Sequence, residues 1–582
     1  MSTKRITPEH LLYFLAFTLA LSLRLLNLGQ APLSDFEAGW ALQAWEAARG
    51  GFAAFGPNPG YMMLTSAAFM LLDIGNAVAR FWPAMAGSLL VLAPFAFRRL
   101  LGRKAALILA FGLAFDPGMV ALSRLAGGPM LAIVCGVFAL TFVYARQPIL
   151  AGICGGLALL SGPSVLTGLA GFAVAWGVGR WARFSPGRDG SEETESPSPP
   201  PHPTPNSLRT GLIFGAATII LAGSLFFHFP TGLGAWAATL PTYLKGWAVP
   251  SGIPATRLFA AIGFYQPWAL IFGITAAVRG WVRGDKLARW LSLWALAALA
   301  AAIFYPGRQV FDAAWVLLPL WALAAMELAR YLRVPRPAAA AYGQAAVIFV
   351  LLVLVWLVGS NLAASQLTWV VLIIAPLLGA LTSALVTLGY SWDAARSGLV
   401  WGASAALSAF VVAAVFGVSQ LRPNGAQELW TPPPAVAQSD LLVATLGELA
   451  VMQSGQADTL DIASFVDAPS LQWALRNFTD VSFVSSLDAN AYPTAIITLE
   501  DSVAPNQTAA YRGQDFVWAE SPGWEGALPP DWLRWVTSRQ ATVWPESVIV
   551  WARADLFPDE AEESVSLPDE LDTDRRPPNT DD

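Results

Sequence analysis

Apolar runs long enough to cross a lipid bilayer recur along the first 420 residues of this chain, and this constrains its fold more than any other feature. A spanning helix needs about 20 apolar residues, because the hydrocarbon core is about 30 Å thick and a helix rises about 1.5 Å per residue. Candidate spans are 11–27, 80–97, 104–119, 127–145, 148–162, 164–180, 210–229, 257–278, 287–304, 311–331, 342–361, 367–389 and 397–419. Only 13% of the residues are charged, against about a quarter in soluble domains. Residues 11–27 follow Lys4 and Arg5, and no small-residue cleavage site comes after them. They read as a first helix that stays in the membrane, not as a removable signal.

The net charge of -6 points to no acidic or basic partner. Much of the acid lies in two polar stretches, 189–195 and 558–582, so the apolar part is mildly basic. Nucleic-acid binding needs a basic patch with interleaved aromatics, and none is found. Cys135 and Cys154 lie in apolar segments and read as packing residues. His10, His202 and His228 are isolated, which excludes a zinc site of the usual kind.

Lys and Arg bias sets the expected orientation. With the N-terminus in the cytoplasm, the inner loops carry clusters such as Arg98, Arg99, Arg103 and Lys104, or Arg279, Arg283, Lys286 and Arg289. The outer loops carry scattered cations only: Arg49, Arg124, Lys245, Arg257 and Arg308. This works only if 61–75, which contains Asp73, does not cross fully. That segment is expected to lie in or dip into the outer face.

The expected organisation is a helical membrane region over 1–183, with a first outer loop at 28–79, then a disordered cytoplasmic linker at 184–209. A second membrane region covers 210–419. An extracytoplasmic α/β domain covers 420–557, and 558–582 form an acidic tail. Within the α/β domain, 471–478 and 531–539 read as amphipathic helices. Residues 481–487, 494–500, 514–520 and 547–557 read as strands. The fold class is thus an all-α polytopic membrane bundle of about thirteen spans with a small C-terminal α/β domain.

Ionisable groups at the face of a membrane bundle are costly, so their clusters mark candidate sites. The segment SDFEAGWALQAWEAARG (34–50) follows the first span and places Asp35 and Glu37 two apart. One reading is structural: Ser34 or Asp35 caps a juxtamembrane helix, with Glu37 in its first turn. The other is chemical: a carboxylate deprotonates an acceptor, or the pair holds a divalent cation. Asp116 precedes Pro117 and either caps a short helix or joins the same site. Arg124, Arg80 and Arg308 suit a phosphate by bidentate hydrogen bonding, or snorkel to lipid headgroups. Tyr265 opens YQPWALIFG and reads as an interfacial aromatic or a donor contact.

Several of these segments together resemble the GT-C superfamily of polyprenyl-phosphate-sugar-dependent glycosyltransferases. That group contains the protein mannosyltransferases, aminoarabinose transferases and oligosaccharyltransferases, and the look is of membrane proteins from archaeal and bacterial N-glycan and flippase clusters. The resemblance covers roughly 10–330. It rests on SDFEAGWAL (34–42), the stretch 58–92, LSRLAGGPML (122–131), YQPWALIFG (265–273) and 305–328. It implies catalytic roles for Asp35 and Glu37, and contact with the donor phosphate for Asp116 and Arg124; Arg80, Arg308 and Tyr265 join them as expected donor contacts on the residue reading above. It implies either no required cofactor or a magnesium or manganese ion at Asp35, Glu37 and Asp116. It implies a polyprenyl-phosphate sugar donor, membrane lipids, a glycan, lipid or protein acceptor, and a multi-pass plasma-membrane protein working at the extracytoplasmic face. Two departures stand out: Gly127, Gly128 and Pro129 follow the Ser-Arg pair, where the family often has a charge. SGPSVLTG (161–168) also stands where a lysine is common. They leave open a divergent substrate or a non-catalytic scaffold. A flippase or transporter is the other alternative, and the near absence of charge in the spans after 340 counts against it.

Overall fold

The computed structural model describes residues 7–51, 55–182, 205–359, 367–419, 421, 428–488, 490–502 and 507–557. The acidic tail and most of the predicted linker lie outside the described residues. The chain divides into two compact units. The first runs to Ala437 and takes in Ala468–Trp473 and Trp518–Glu546. The second holds Gln438–Asp467, Ala474–Val517 and the stretch from Ser547. Residues of the block expected at 420–557 fall in both units.

The first unit is helical. Among the described residues, seven helices are long and apolar enough to cross a membrane, or nine if each of two bent pairs counts as one span. The thirteen predicted segments all carry helix, but their number as spans falls for physical reasons. Pro117 and Pro267 each lack the amide that a continuing helix needs. The chain bends by 56° at Asp116 and by 96° at Gln266, so the span expected at 257–278 is two helices, Ala255–Tyr265 and Pro267–Arg283. Met130–Tyr144 and Pro148–Leu160 are apolar but short. Outward-facing side chains are apolar: Leu388 is 86% exposed and Val282 81%. Such surface is stable against lipid, not water.

Four helices frame one end of this unit: α1 (Pro8–Leu25), α2 (Asp35–Ala48), α3 (Pro59–Leu71) and α4 (Asn76–Leu90). With 13 residues, α3 is about 20 Å long and too short to span. It is nonetheless embedded: Tyr61 and Met62 are fully buried, and the Tyr61 hydroxyl donates to the Ala79 carbonyl at 2.8 Å. The span Val310–Leu332 is the most enclosed of the seven. Its Trp321 packs so closely against Gly112 that no side chain fits there.

In the second unit, β2 (Asp461–Ser464) pairs in parallel with β3 (Asp480–Phe483) and β4 (Ala495–Leu499). β4 pairs antiparallel with β6 (Val543–Arg553), Ile497 standing opposite Val550. Ala495, Ile496 and Ile497 are all fully buried in succession, as expected of a strand covered on both faces. In the first unit, β1 (Ala435–Val436) pairs antiparallel with the end of β5 (Tyr511–Pro522). The helix Ser439–Ser454 and β2 were absent from the expected elements. β2 has only four residues, too few for a periodicity to show.

Candidate active site

The turn between α1 and α2 builds the candidate site from its capping residue outward. Ser34 is the N-cap of α2: its hydroxyl accepts from the Glu37 amide at 3.4 Å, and the Ser34 amide donates back to Glu37 Oε2 at 3.2 Å. This reciprocal pair satisfies two amides that a helix start leaves open. Glu37 is thereby committed. Its Oε1 also accepts from Arg80 Nε at 2.7 Å and from the Ala126 amide at 3.0 Å, and its Oε2 accepts from Arg80 Nη2 at 2.7 Å. The remaining Arg80 donors reach the carbonyls of Leu28, Ala31 and Pro32. Arg80 is 1% exposed and Glu37 4%. The two side chains lock the end of α1 to α2 and α4, and neither has capacity left for a ligand.

Asp35 differs. It is partly exposed, and its Oδ1 accepts one hydrogen bond, from the Ser470 amide at 3.0 Å. Its Oδ2 has no partner among the described residues. Of the predicted acidic residues at this site, it alone keeps an oxygen free for chemistry.

Asp116 is fully buried at the bend that precedes helix Pro117–Ser123. Its Oδ1 accepts from the Met119 amide at 2.7 Å and its Oδ2 from Trp321 Nε1 at 2.6 Å. That is the capping role considered for it from the sequence. Arg124 is 4% exposed, and its two Nη atoms donate to the carbonyls of Leu23, Arg24, Leu26 and Asn27. It closes the C-terminal end of α1, where carbonyls lack helical partners and the helix dipole favours a cation. Tyr265 is fully buried, bonded through its hydroxyl to the Glu428 carboxylate and the Leu429 amide, with the Arg539 guanidinium 4.2 Å from its ring centre. It anchors the 428–430 segment and offers no hydroxyl to a donor.

Arg308 keeps more capacity. Its Nη1 donates to the Ile253 carbonyl at 2.9 Å, while its buried Nε has no partner. Four residues beyond Ile253 stands Arg257, 9% exposed, with a buried Nε also unpaired and no side-chain hydrogen bond to any described residue. Phe36, next to Asp35, meets Phe311, three residues beyond Arg308, at a ring separation of 6.0 Å. Asp312 fixes this loop: its Oδ2 accepts from the Gln309 amide at 2.9 Å, and its Oδ1 from Ser164 Oγ at 3.1 Å. The structure thus brings Asp35 into the neighbourhood of the 305–313 loop. The sequence reading counted Arg257 only as a scattered outer cation, because nothing local marks a guanidinium as unpaired.

The expected metal set of Asp35, Glu37 and Asp116 does not fit one ion. Both oxygens of Glu37 and both of Asp116 accept hydrogen bonds from the protein, and no group of three His, Cys, Asp or Glu suited to a metal occurs among the described residues.

The missing charge after Arg124 also has a packing reason. Gly127 has φ +69°, and a Cβ there would strike the Trp40 indole of α2. Its carbonyl accepts from Asn58 Nδ2 at 3.0 Å, while the preceding amide binds Glu37. Here backbone closes directly onto α2.

Two solved structures share this architecture. They are ArnT from Cupriavidus metallidurans bound to undecaprenyl phosphate (TM-score 0.56) and the same protein in the apo state (TM-score 0.54). Each is 16% identical over 94% of this chain and 99% of the other. No family model matches, and neither does any curated protein. The chain therefore has the fold of ArnT, and the GT-C resemblance read from the sequence holds at the level of the fold.

Proposed function

We propose that this protein transfers a sugar from a polyprenyl-phosphate donor to an acceptor at the extracytoplasmic face of the membrane, with Asp35 as the general base. The observation that carries the reading is the uncommitted Oδ2 of Asp35, in a fold shared with a protein crystallised with undecaprenyl phosphate. In the reaction, Asp35 takes the proton of an acceptor hydroxyl or amide. The acceptor atom bonds to the anomeric carbon as that carbon's bond to the phosphate oxygen breaks. The electron pair leaves on the phosphate, and Arg308 and Arg257 stabilise its charge with their open guanidinium donors. Arg80, Glu37, Asp116 and Tyr265 act as scaffold, because their polar atoms already serve the protein, and so does Arg124, whose two Nη atoms bind carbonyls and whose Nε alone is unpaired. No step is routed through a metal ion.

The test is sugar release from a polyprenyl-phosphate sugar by purified protein, wild type beside Asp35→Asn, with and without manganese. Turnover that disappears in the variant supports the reading, and dependence on manganese would assign Asp35 to a metal instead. A folded protein with no turnover on a panel of donors would favour the scaffold alternative.

A further inference from the structure

The group that holds Asp35 comes from 435 residues further along the chain. We infer that Ser470 is a positioning residue for Asp35: its backbone amide fixes Oδ1 and so leaves Oδ2 as the single oxygen presented for proton transfer. The inference rests on the proposed role of Asp35, but the contact can be tested without it.

Four observations show that residues 468–473 are built into the helical unit. Trp473 is 3% exposed and joins the cluster formed by Leu33, Ala38, Ala41, Tyr61 and Phe69. Its Nε1 donates to Asn76 Oδ1 at 2.8 Å, at the start of α4. Trp518 Nε1 donates to Ser470 Oγ at 3.3 Å, and Ser470 is itself 3% exposed. Pro469 approaches α2 so closely that a Cβ on Gly39 would lie 4.0 Å from the proline Cβ. The Ser470 amide is therefore held from both sides, and Asp35 meets a fixed donor.

A fixed amide selects one rotamer of the carboxylate, which sets where the free oxygen stands. A side-chain donor such as lysine would not, because its stem is flexible.

The test is carbodiimide labelling of the Asp35 carboxyl in the full-length, detergent-solubilised protein, read as a rate at one fixed pH by peptide mass spectrometry. Ser470→Ala keeps the amide and is expected to label Asp35 as wild type does. Ser470→Pro removes the amide hydrogen, frees Oδ1, and is expected to label Asp35 about three- to tenfold faster. Equal rates for the two variants would overturn the inference. A second arm does not depend on the proline variant folding. Gly39→Cys with Pro469→Cys has the Cβ separation a disulfide needs, about 3.5–4.5 Å. The bridge is expected to form under mild oxidation and to leave the Asp35 labelling rate at the wild-type value. No bridge, or a rate changed by locking, would show that residues 468–473 do not rest on α2 in this way. Sugar transfer is measured separately. An intact change in labelling rate without transfer would remove the proposed function and keep the Ser470 contact.

Discussion

Two buried glutamates of the helical unit are each paired with arginine, and they are held differently. Glu37 meets Arg80 in a two-pronged pair and also accepts from two backbone amides. Glu327 lies 2.7 Å from Arg279 and 3.5 Å from Arg330, yet neither of its oxygens makes a well-directed hydrogen bond. Its partners are also wetter, with side chains 22% and 40% exposed against 1% for Arg80. Burial alone does not set the value of an ion pair. Satisfaction of every lone pair does, because an unmatched charge in a low-dielectric interior costs more than its partner returns. Glu37 is the rigid joint beside the candidate site, and Glu327 is the looser of the two pairs.

The comparison is broken most directly by removing one partner. Arg80→Ala leaves Glu37 buried and unpaired and is expected to cost about 3–5 kcal/mol of stability. Thermal unfolding in detergent should show the largest loss of any single change named here. Glu327→Gln is expected to cost about 1–3 kcal/mol, since its cations can turn to water. An equal or larger loss than for Arg80→Ala would show that directed hydrogen bonds are not what separates the pairs.

Activity should separate the neighbours Asp35 and Glu37. Asp35→Asn is expected to lower transfer by about 10²–10⁴-fold with little change in unfolding temperature. Glu37→Gln should do the reverse and act chiefly through stability. Arg308→Lys keeps the charge but loses the planar fork, and is expected to raise the KM for the donor about tenfold. Transfer kinetics at varied donor concentration check all three.

The smallest effect belongs to the second unit. Asp461 faces Asp480 across the parallel pair of β2 and β3. Burial, and then Asp480, raise the Asp461 carboxyl above its ordinary value. The folded unit therefore binds that proton more tightly than the unfolded chain does. The cost is absent below the unfolded value and grows as pH rises through the folded one. Asp461→Asn is expected to gain about 0.2–0.5 kcal/mol at neutral pH and nothing at low pH. Chemical unfolding at two pH values reads the difference.

Much of this was open to sequence reasoning, for identifiable reasons. The helices followed from apolar run length, and the break at Asp116 from the proline that follows it, whereas Pro267 within the expected span 257–278 went unread and the chain bends there too. The short α3 was legible from its fifteen-residue apolar stretch and Asp73. Ser34 as the cap of α2 was one of two stated options, and the chain takes it. The roles of Arg80 and Arg124 were not legible. A guanidinium that binds phosphate and one that binds carbonyls have the same sequence signature, and only the position of distant backbone tells them apart.

What the sequence by itself determined is therefore the class of molecule, the helical periods, and a pair of carboxylates at the mouth of the first turn. Residues two apart on a helix point about 200° from each other, so Asp35 and Glu37 were bound to face different surroundings. Which one faces protein was decided by tertiary structure. Arg80, 43 residues on, and the Ala126 amide, 89 residues on, close over Glu37. The Ser470 amide reaches Asp35 across 435 residues and takes a single oxygen. Local physics fixes where a side chain points, and long-range packing fixes how many of its hydrogen bonds are already used.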